Sequence, residues 1–172
     1  MLKKIVIILV VGFALFILML FFTLKNKKKD LSNTAPYNGI VGKELVLLRP
    51  VVLCKNDVST KILEDYTIYT DTTVYKYIIE DAPEHYTLNE GSILKVASVK
   101  HFQNPVSGST RSLVIGKVVH PTTQELVNFE YEWGKRSTSD ILNGVEKSWY
   151  FPLAPWQENA IEGKFEFPKP FF

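Results

Sequence analysis

The sequence predicts a mainly β protein, with an N-terminal transmembrane helix followed by one small antiparallel β-barrel or sandwich. Two observations lead to this prediction. Residues 5–24 form an unbroken apolar run of twenty residues, and the chain after them repeats short segments rich in Val, Ile, Thr, Tyr and Phe, such as TVYKYII at 73–79, between turn-forming residues. The folded part, residues 43–172, is long enough for one hydrophobic core.

The apolar run from Ile5 to Leu24 has the length of a membrane-spanning helix. At about 1.5 Å per residue, it spans roughly 30 Å, which matches the hydrocarbon thickness of a bilayer. A cleaved signal peptide has a shorter apolar segment of about 7 to 15 residues, followed by small residues. Here Phe21 and Phe22 stand near the end of the run. We therefore predict that residues 1–29 are a retained, single-pass membrane anchor in contact with lipid.

Lysines flank the run on both sides, so the charges are compatible with either orientation of the helix in the membrane. The flanking residues are Lys3 and Lys4 before the helix and Lys25, Lys27, Lys28 and Lys29 after it. Enrichment of Lys and Arg on cytoplasmic flanks, taken literally, places the large domain in the cytoplasm. A Lys-Lys start directly before a long apolar run is instead typical of an export signal. We favour export, which places the domain on the extracytoplasmic (periplasmic) side of the inner (plasma) membrane.

The chain beyond the anchor is mildly acidic. Residues 1–30 of the sequence hold six of the 20 basic residues and one of the 18 acidic residues, which leaves 14 basic and 17 acidic in the remainder, a net charge of −3. Nucleic acids require clustered basic residues. We therefore expect no nucleic-acid partner.

The stretch between the anchor and the first predicted strand has no periodic apolar pattern. Residues 30–42 (DLSNTAPYNGIVG) are rich in Ser, Asn, Pro and Gly, which favour turns and loops. We predict a linker over these residues. The chain then divides into an anchor (1–29), a linker (30–42) and a single β-rich domain (43–172).

Three predicted strands form a meander in the middle of the domain. They run from Ser92 to Phe102, from Arg111 to His120 and from Glu125 to Trp133. Short connections make neighbouring strands antiparallel. The alternation of apolar residues in the first strand changes phase near Ala97 and Ser98, so we predict a β-bulge there.

The segment YTLNEGSILKVASVK, from Tyr86 to Lys100, resembles bacterial SH3-like domains in the stretch where a turn leads into a central barrel strand. The matching positions are Leu88, Gly91, Leu94 and Val96. The resemblance implies a small β-barrel that binds peptides or cell-wall material and has no catalytic activity. An SH3-like barrel is therefore one expected form of the domain.

The residues that could carry chemistry have no spacing typical of a catalytic or metal-binding motif. Cys54 lies in an apolar strand, where a lone thiol is usually a buried small hydrophobe. The three histidines are scattered, so we expect no metal and no cofactor. Glu130 and Glu132 lie two apart on one strand face, and we expect both to be solvated on the outer face. The protein is therefore predicted not to be an enzyme.

The C-terminal stretch, Ser148 to Phe172, combines eight aromatic residues with four prolines. Exposed aromatic rings on a proline-held backbone can bind a sugar or an extended peptide. The candidate ligand-binding residues are Trp149, Tyr150 and Trp156, because each joins apolar area to a hydrogen-bonding group. The alternative is structural, with the tail wrapped around the domain so that it covers the core and a sheet edge.

Together these features predict a single-pass membrane-anchored binding or interaction module of the bacterial cell envelope. Its expected partners are membrane lipid, through residues 1–29, and an envelope protein or cell-wall polymer. Two alternatives stay open. A membrane-tethered immunity or inhibitor protein against a toxin fits a small acidic domain on a tether. An undetected hydrolase requires Glu130 or Glu132 to lie in a cleft.

Overall fold

The computed structural model describes residues 2–25, 27–56, 62–70, 84–104, 107 and 109–168, without the side chains of residues 2 and 5–8. Its helices are α1 (Leu2–Thr23) and α2 (Thr138–Leu142), with a 3-10 helix at Tyr37–Gly39. Its strands are β1 (Lys27–Asp30), β2 (Glu44–Val46), β3 (Val51–Lys55), β4 (Tyr66–Tyr69), β5 (His85–Leu88), β6 (Ile93–Gln103), β7 (Thr110–Val119), β8 (Leu126–Glu132), β9 (Lys135–Arg136) and β10 (Trp149–Tyr150). The mainly β prediction is confirmed. The strand predicted at 73–79 lies outside the described residues.

Eight strands form one sheet in the order β1-β6-β7-β8-β4-β3-β5, and β2 also pairs with β6. All of these pairs are antiparallel except β4 with β8, which are parallel. β9 and β10 form a separate two-stranded sheet. Among the described strands no pairing closes the large sheet into a barrel, because the outermost strands β1 and β5 each pair on one side only. The described strands therefore form an open sheet, and the closed barrel, one of the two forms that we predicted, is not found among them.

The central meander agrees with the sequence. β6, β7 and β8 are consecutive antiparallel strands, and their register shifts between Val96 and Ser98, where the bulge was expected. Gly116 lies opposite Val96 at this point. A Cβ atom on Gly116 would lie 2.3 Å from the carbonyl oxygen of Lys95 and 2.9 Å from the ring of Phe129. The bulge therefore brings the strands so close that only glycine fits.

An aromatic cluster fills the core on one face of the sheet. The ring of Tyr37 lies 5.6 Å from Trp133, 5.5 Å from Trp149 and 5.3 Å from Phe151, measured between centroids. All four side chains are buried. The hydroxyl of Tyr37 donates a hydrogen bond to the carbonyl oxygen of Trp133, which satisfies its one polar atom in this apolar setting. The C-terminal tail is thus part of the core.

The residues expected to form a linker are packed against the sheet. β1 pairs with residues 100–103 of β6, and Leu31 donates a backbone hydrogen bond to the carbonyl of Val99. Leu31 and Tyr37 are both buried. Ile40 and Val41 are partly buried and pack against the same core, so residues 30–42 differ from the predicted linker and belong to the folded domain.

α1 carries apolar side chains all around its axis. Between Leu9 and Leu24 the exposed large apolar side chains are 49% to 69% accessible. Over the residues that the structure describes, no helix is long and apolar enough to cross a membrane.

Candidate binding cleft

The face of the meander opposite the aromatic core carries charged side chains. Strand alternation beyond the bulge and the cross-strand register place the following residues on this face: Lys100, Phe102, Arg111, Leu113, Glu130 and Glu132. We call it the polar face. Phe102 and Leu113 are nevertheless buried, because other chain segments partly cover this side of the sheet.

A cleft opens on the polar face at the point where the pairing between β4 and β8 ends. The parallel pairing joins only Tyr66 with Phe129 and Thr67 with Glu130. Beyond it, side chains of both strands line a cavity of about 250 Å³, which the tail borders on its other side. We call this cavity the β4–β8 cleft, and the residues that define it here are Tyr69, Arg111, Glu132, Lys135, Pro152 and Leu153.

Glu130 lies at the closed end of the cleft and is buried, with 1% of its surface accessible. Its Oε2 accepts hydrogen bonds from the backbone N–H groups of Leu63 and Glu64, at 2.8 and 3.0 Å. The hydroxyl of Thr67 lies 3.3 Å from Oε1 and 3.0 Å from Oδ1 of Asn56, and it can donate to one of them at a time. Glu130 therefore holds the turn at 62–65 onto the sheet, which differs from the solvated position that we predicted.

Burial raises the pKa of the Glu130 carboxyl above its usual value of 4.5, and the hydrogen bonds from Glu64, Leu63 and Thr67 only partly oppose this shift. A raised carboxyl pKa in a cleft is a feature of many general acids. Here both oxygens already contact protein donors. The carboxylate is thus arranged as a structural acceptor for residues 62–67.

The open end of the cleft combines charge with apolar surface. Arg111 and Glu132 form a loose ion pair at 3.8 Å, and about half of the arginine side chain is accessible. Lys135 is exposed beside them, and Leu153 is 36% exposed on the opposite wall. A loose, half-exposed ion pair contributes little to stability and can exchange partners. This end can therefore accept a ligand that carries an anionic group next to an apolar group.

The three residues selected from the sequence are separated by the fold. Trp149 is 1% exposed and packs at 4.8 Å from Phe151, so it is a core residue and presents no platform for a ligand. Tyr150, the next residue, is 38% exposed. Trp156 is half-buried, with its ring 5.3 Å from that of Tyr131, which lines the cleft. The indole N–H of Trp156 is buried and has no hydrogen-bond partner among the described residues.

A serine and a histidine come together elsewhere, under the tail. His101 Nδ1 lies 3.0 Å from Ser112 Oγ, and the ring of Phe167 packs 5.1 Å from the imidazole. Both members of the pair are 2% exposed. Burial, with a smaller effect from the charge of Lys29, lowers the pKa of His101 to about 4. The pair is closed to a substrate and neutral at physiological pH, so we interpret it as a core hydrogen bond.

Cys54 is buried, as predicted, and burial raises the pKa of its thiol to about 11. The described residues contain no group of three or more His, Cys, Asp or Glu side chains placed to hold a metal ion.

Sequence reasoning missed the basic residues of the cleft. Arg111 and Lys135 lie in different strands and carry no motif, and the wall at Leu153 comes from the tail. One signal was available, because Arg111 and Glu132 share the parity of the outer face in neighbouring strands. The contribution of β4 could not be inferred, since its parallel pairing joins segments that are distant in the chain.

Comparisons with known proteins give no match to a family model, to a curated protein or to a solved structure. The resemblance of Tyr86–Lys100 to bacterial SH3-like domains therefore stays a prediction. In the structure this segment covers β5, a turn and most of β6. Gly91 has a φ of 87° in that turn, a backbone conformation that favours glycine.

Proposed function

We propose that the protein is a membrane-anchored binding module of the bacterial cell envelope, and that its partner contacts the β4–β8 cleft. The observation that carries the proposal is the combination at the cleft mouth of two basic groups, Arg111 and Lys135, with an accessible apolar wall at Leu153. Binding sites commonly pair an apolar surface with a few polar groups that fix orientation.

The anchor is supported by the character of α1 together with the full sequence. A helix that is apolar on all sides is suited to the interior of a large protein or to a membrane. Most of the large apolar side chains from Leu9 to Leu24 are exposed, so the described part of the folded domain does not bury them. The charge-free run of Ile5 to Leu24 in the sequence, which includes residues 5–8 whose side chains the structure does not describe, matches a bilayer in length. The Lys3-Lys4 start before this run favours export, so we propose that the folded domain lies on the extracytoplasmic side of the inner membrane.

The cleft favours a partner with an acidic group beside an apolar one. Arg111 offers a planar guanidinium that can bind a carboxylate through two parallel hydrogen bonds. An envelope protein segment with an acidic and an apolar side chain, or a cell-wall polymer that carries carboxylates, has this chemistry. Cleavage of such a partner is less well supported, because the buried Glu130 is engaged by Leu63, Glu64 and Thr67.

The proposal is tested by charge changes at the cleft mouth. We expect Leu153→Asp and Arg111→Glu in the full-length protein to reduce recovery of cross-linked envelope partners, or binding to purified cell wall, by about tenfold or more. Leu142→Asp is the matched control, because Leu142 is 82% exposed on α2, outside the cleft. Melting temperatures should stay close to that of the wild type. Unchanged partner binding by both cleft variants would contradict the proposal.

A further inference from the structure

The junction between α1 and the sheet is short. α1 ends at Thr23 and β1 begins at Lys27. Since an extended chain advances at most about 3.6 Å per residue, the start of β1 lies within roughly 15 Å of the end of α1. Pairing with residues 100–103 of β6 and the buried side chain of Leu31 hold β1 in the sheet. This edge of the sheet therefore stays beside the end of α1.

Several lysine side chains lie along the β1 edge of the sheet. Alternation along β1 directs Lys28 and Lys29 to opposite faces, but β1 is the outermost strand, and both side chains border one open depression of about 520 Å³. Lys100 borders the same depression from β6, next to the apolar side chain of Ile115. The depression is thus a basic concave surface at the membrane-proximal edge of the domain.

The acidic residues beside the depression leave its positive charge in place. Asp30 forms an ion pair with Lys100, and the hydrogen bond from that lysine is the main reason why the pKa of Asp30 falls to about 2. Lys100 therefore neutralises Asp30. Lys28 and Lys29 have no ion-pair partner among the described residues, and one further carboxylate, that of Glu64, borders the depression. Two lysines stay available to an anionic ligand.

We propose that Lys28 and Lys29 bind the head group of an anionic phospholipid in the leaflet where α1 ends. The inference rests on the proposed membrane anchor. A lipid head group is the favoured source of the phosphate because the junction of residues 24–26 keeps β1 within reach of the bilayer surface. Lysines near an anionic membrane surface gain favourable electrostatic energy within a Debye length. The contact holds the β1 edge against the bilayer.

The test uses the full-length protein in lipid nanodiscs. Discs of phosphatidylglycerol are compared with discs of phosphatidylcholine, and the labelling of each lysine by an amine-reactive reagent is measured by mass spectrometry. We expect labelling of Lys28 and Lys29 to fall by about fivefold in phosphatidylglycerol. Lys147, which is exposed and distant in the chain from β1, is the internal control. A third sample adds inorganic phosphate to phosphatidylcholine discs.

The outcomes separate this inference from the anchor on which it rests. Equal labelling of Lys28 and Lys29 in both kinds of disc, with the protein still retained, overturns the head-group site alone. Equal protection by free phosphate also overturns it, because the site then binds a soluble anion. Release of the protein from membranes by alkaline carbonate overturns the anchor itself. Protection of Lys28 and Lys29 only in phosphatidylglycerol supports the site if protection of Lys29 weakens in Lys28→Gln, protection of Lys28 weakens in Lys29→Gln, and both are kept in Lys147→Gln.

Discussion

The carboxylate of Glu130 shows how a residue on the expected outer face becomes structural. Its position in β8 follows from strand alternation, which the sequence predicted correctly. Its burial comes from the turn at 62–65, which lies more than sixty residues earlier and donates two backbone hydrogen bonds to it. The alternation of residues within β8 cannot indicate that the turn at 62–65 buries Glu130. The same limit applies to Trp149, whose burial depends on Tyr37 from the predicted linker.

The raised pKa of Glu130 predicts a pH-dependent contribution to stability. The folded protein binds this proton more tightly than the unfolded chain does, so the contribution is present below pH 4.5 and is lost as the pH rises through the raised value. In Glu130→Gln an amide oxygen still accepts from the backbone N–H groups, and the titration is removed. We expect the variant to gain stability relative to the wild type as the pH increases from about 4 to 8.

The measurement is denaturant unfolding of the full chain in detergent across this pH range. Glu132→Gln removes a charge from the same sheet face at an exposed position and controls for net charge. His101, whose pKa is lowered to about 4, acts in the opposite direction, so the difference between variant and wild type is the relevant quantity. A difference that stays constant with pH would show that Glu130 is not the titrating group.

At the scale of elements, the meander was predictable because alternation, short turns and the phase change at Ala97 and Ser98 all specify one arrangement. The segment from β1 to the 3-10 helix was not. Its Ser, Asn, Pro and Gly content favours a loop, but the burial of Leu31 and Tyr37 and the backbone pairing with β6 make it part of the domain. Composition reports how polar a segment is on average, whereas packing against the sheet depends on a few particular side chains and backbone hydrogen bonds.

The close approach of strands at the bulge predicts an effect of Gly116→Ala. The new Cβ atom would meet the carbonyl oxygen of Lys95 at 2.3 Å, a backbone atom that cannot rotate away. We expect a loss of about 1–3 kcal/mol in the free energy of unfolding. The matched control is Gly39→Ala, where no atom lies within 4 Å of the added carbon. Wild-type stability of Gly116→Ala in thermal or denaturant unfolding would contradict this packing.

At the scale of the whole molecule, the sequence predicts a membrane anchor followed by one domain, whereas the position of the cleft is seen only in the structure. Parallel pairing of β4 with β8 places the cleft, and the tail completes it. Neither long-range contact has a local signal. The segment after β1 is packed against the sheet, so it does not act as a linker between α1 and the domain. Because only residues 24–26 separate α1 from β1, the folded domain begins directly after α1 and not at the end of a longer linker.

The location of the folded domain tests the central claim most directly. We would introduce Asn159→Cys at an exposed tail position and label intact cells, with any outer membrane permeabilised, using a membrane-impermeant maleimide. The native Cys54 can stay, since it is buried and its thiol pKa is raised to about 11. We predict equal labelling of the introduced thiol in intact and lysed cells. Labelling only after lysis would place the domain in the cytoplasm and contradict a partner in the cell envelope.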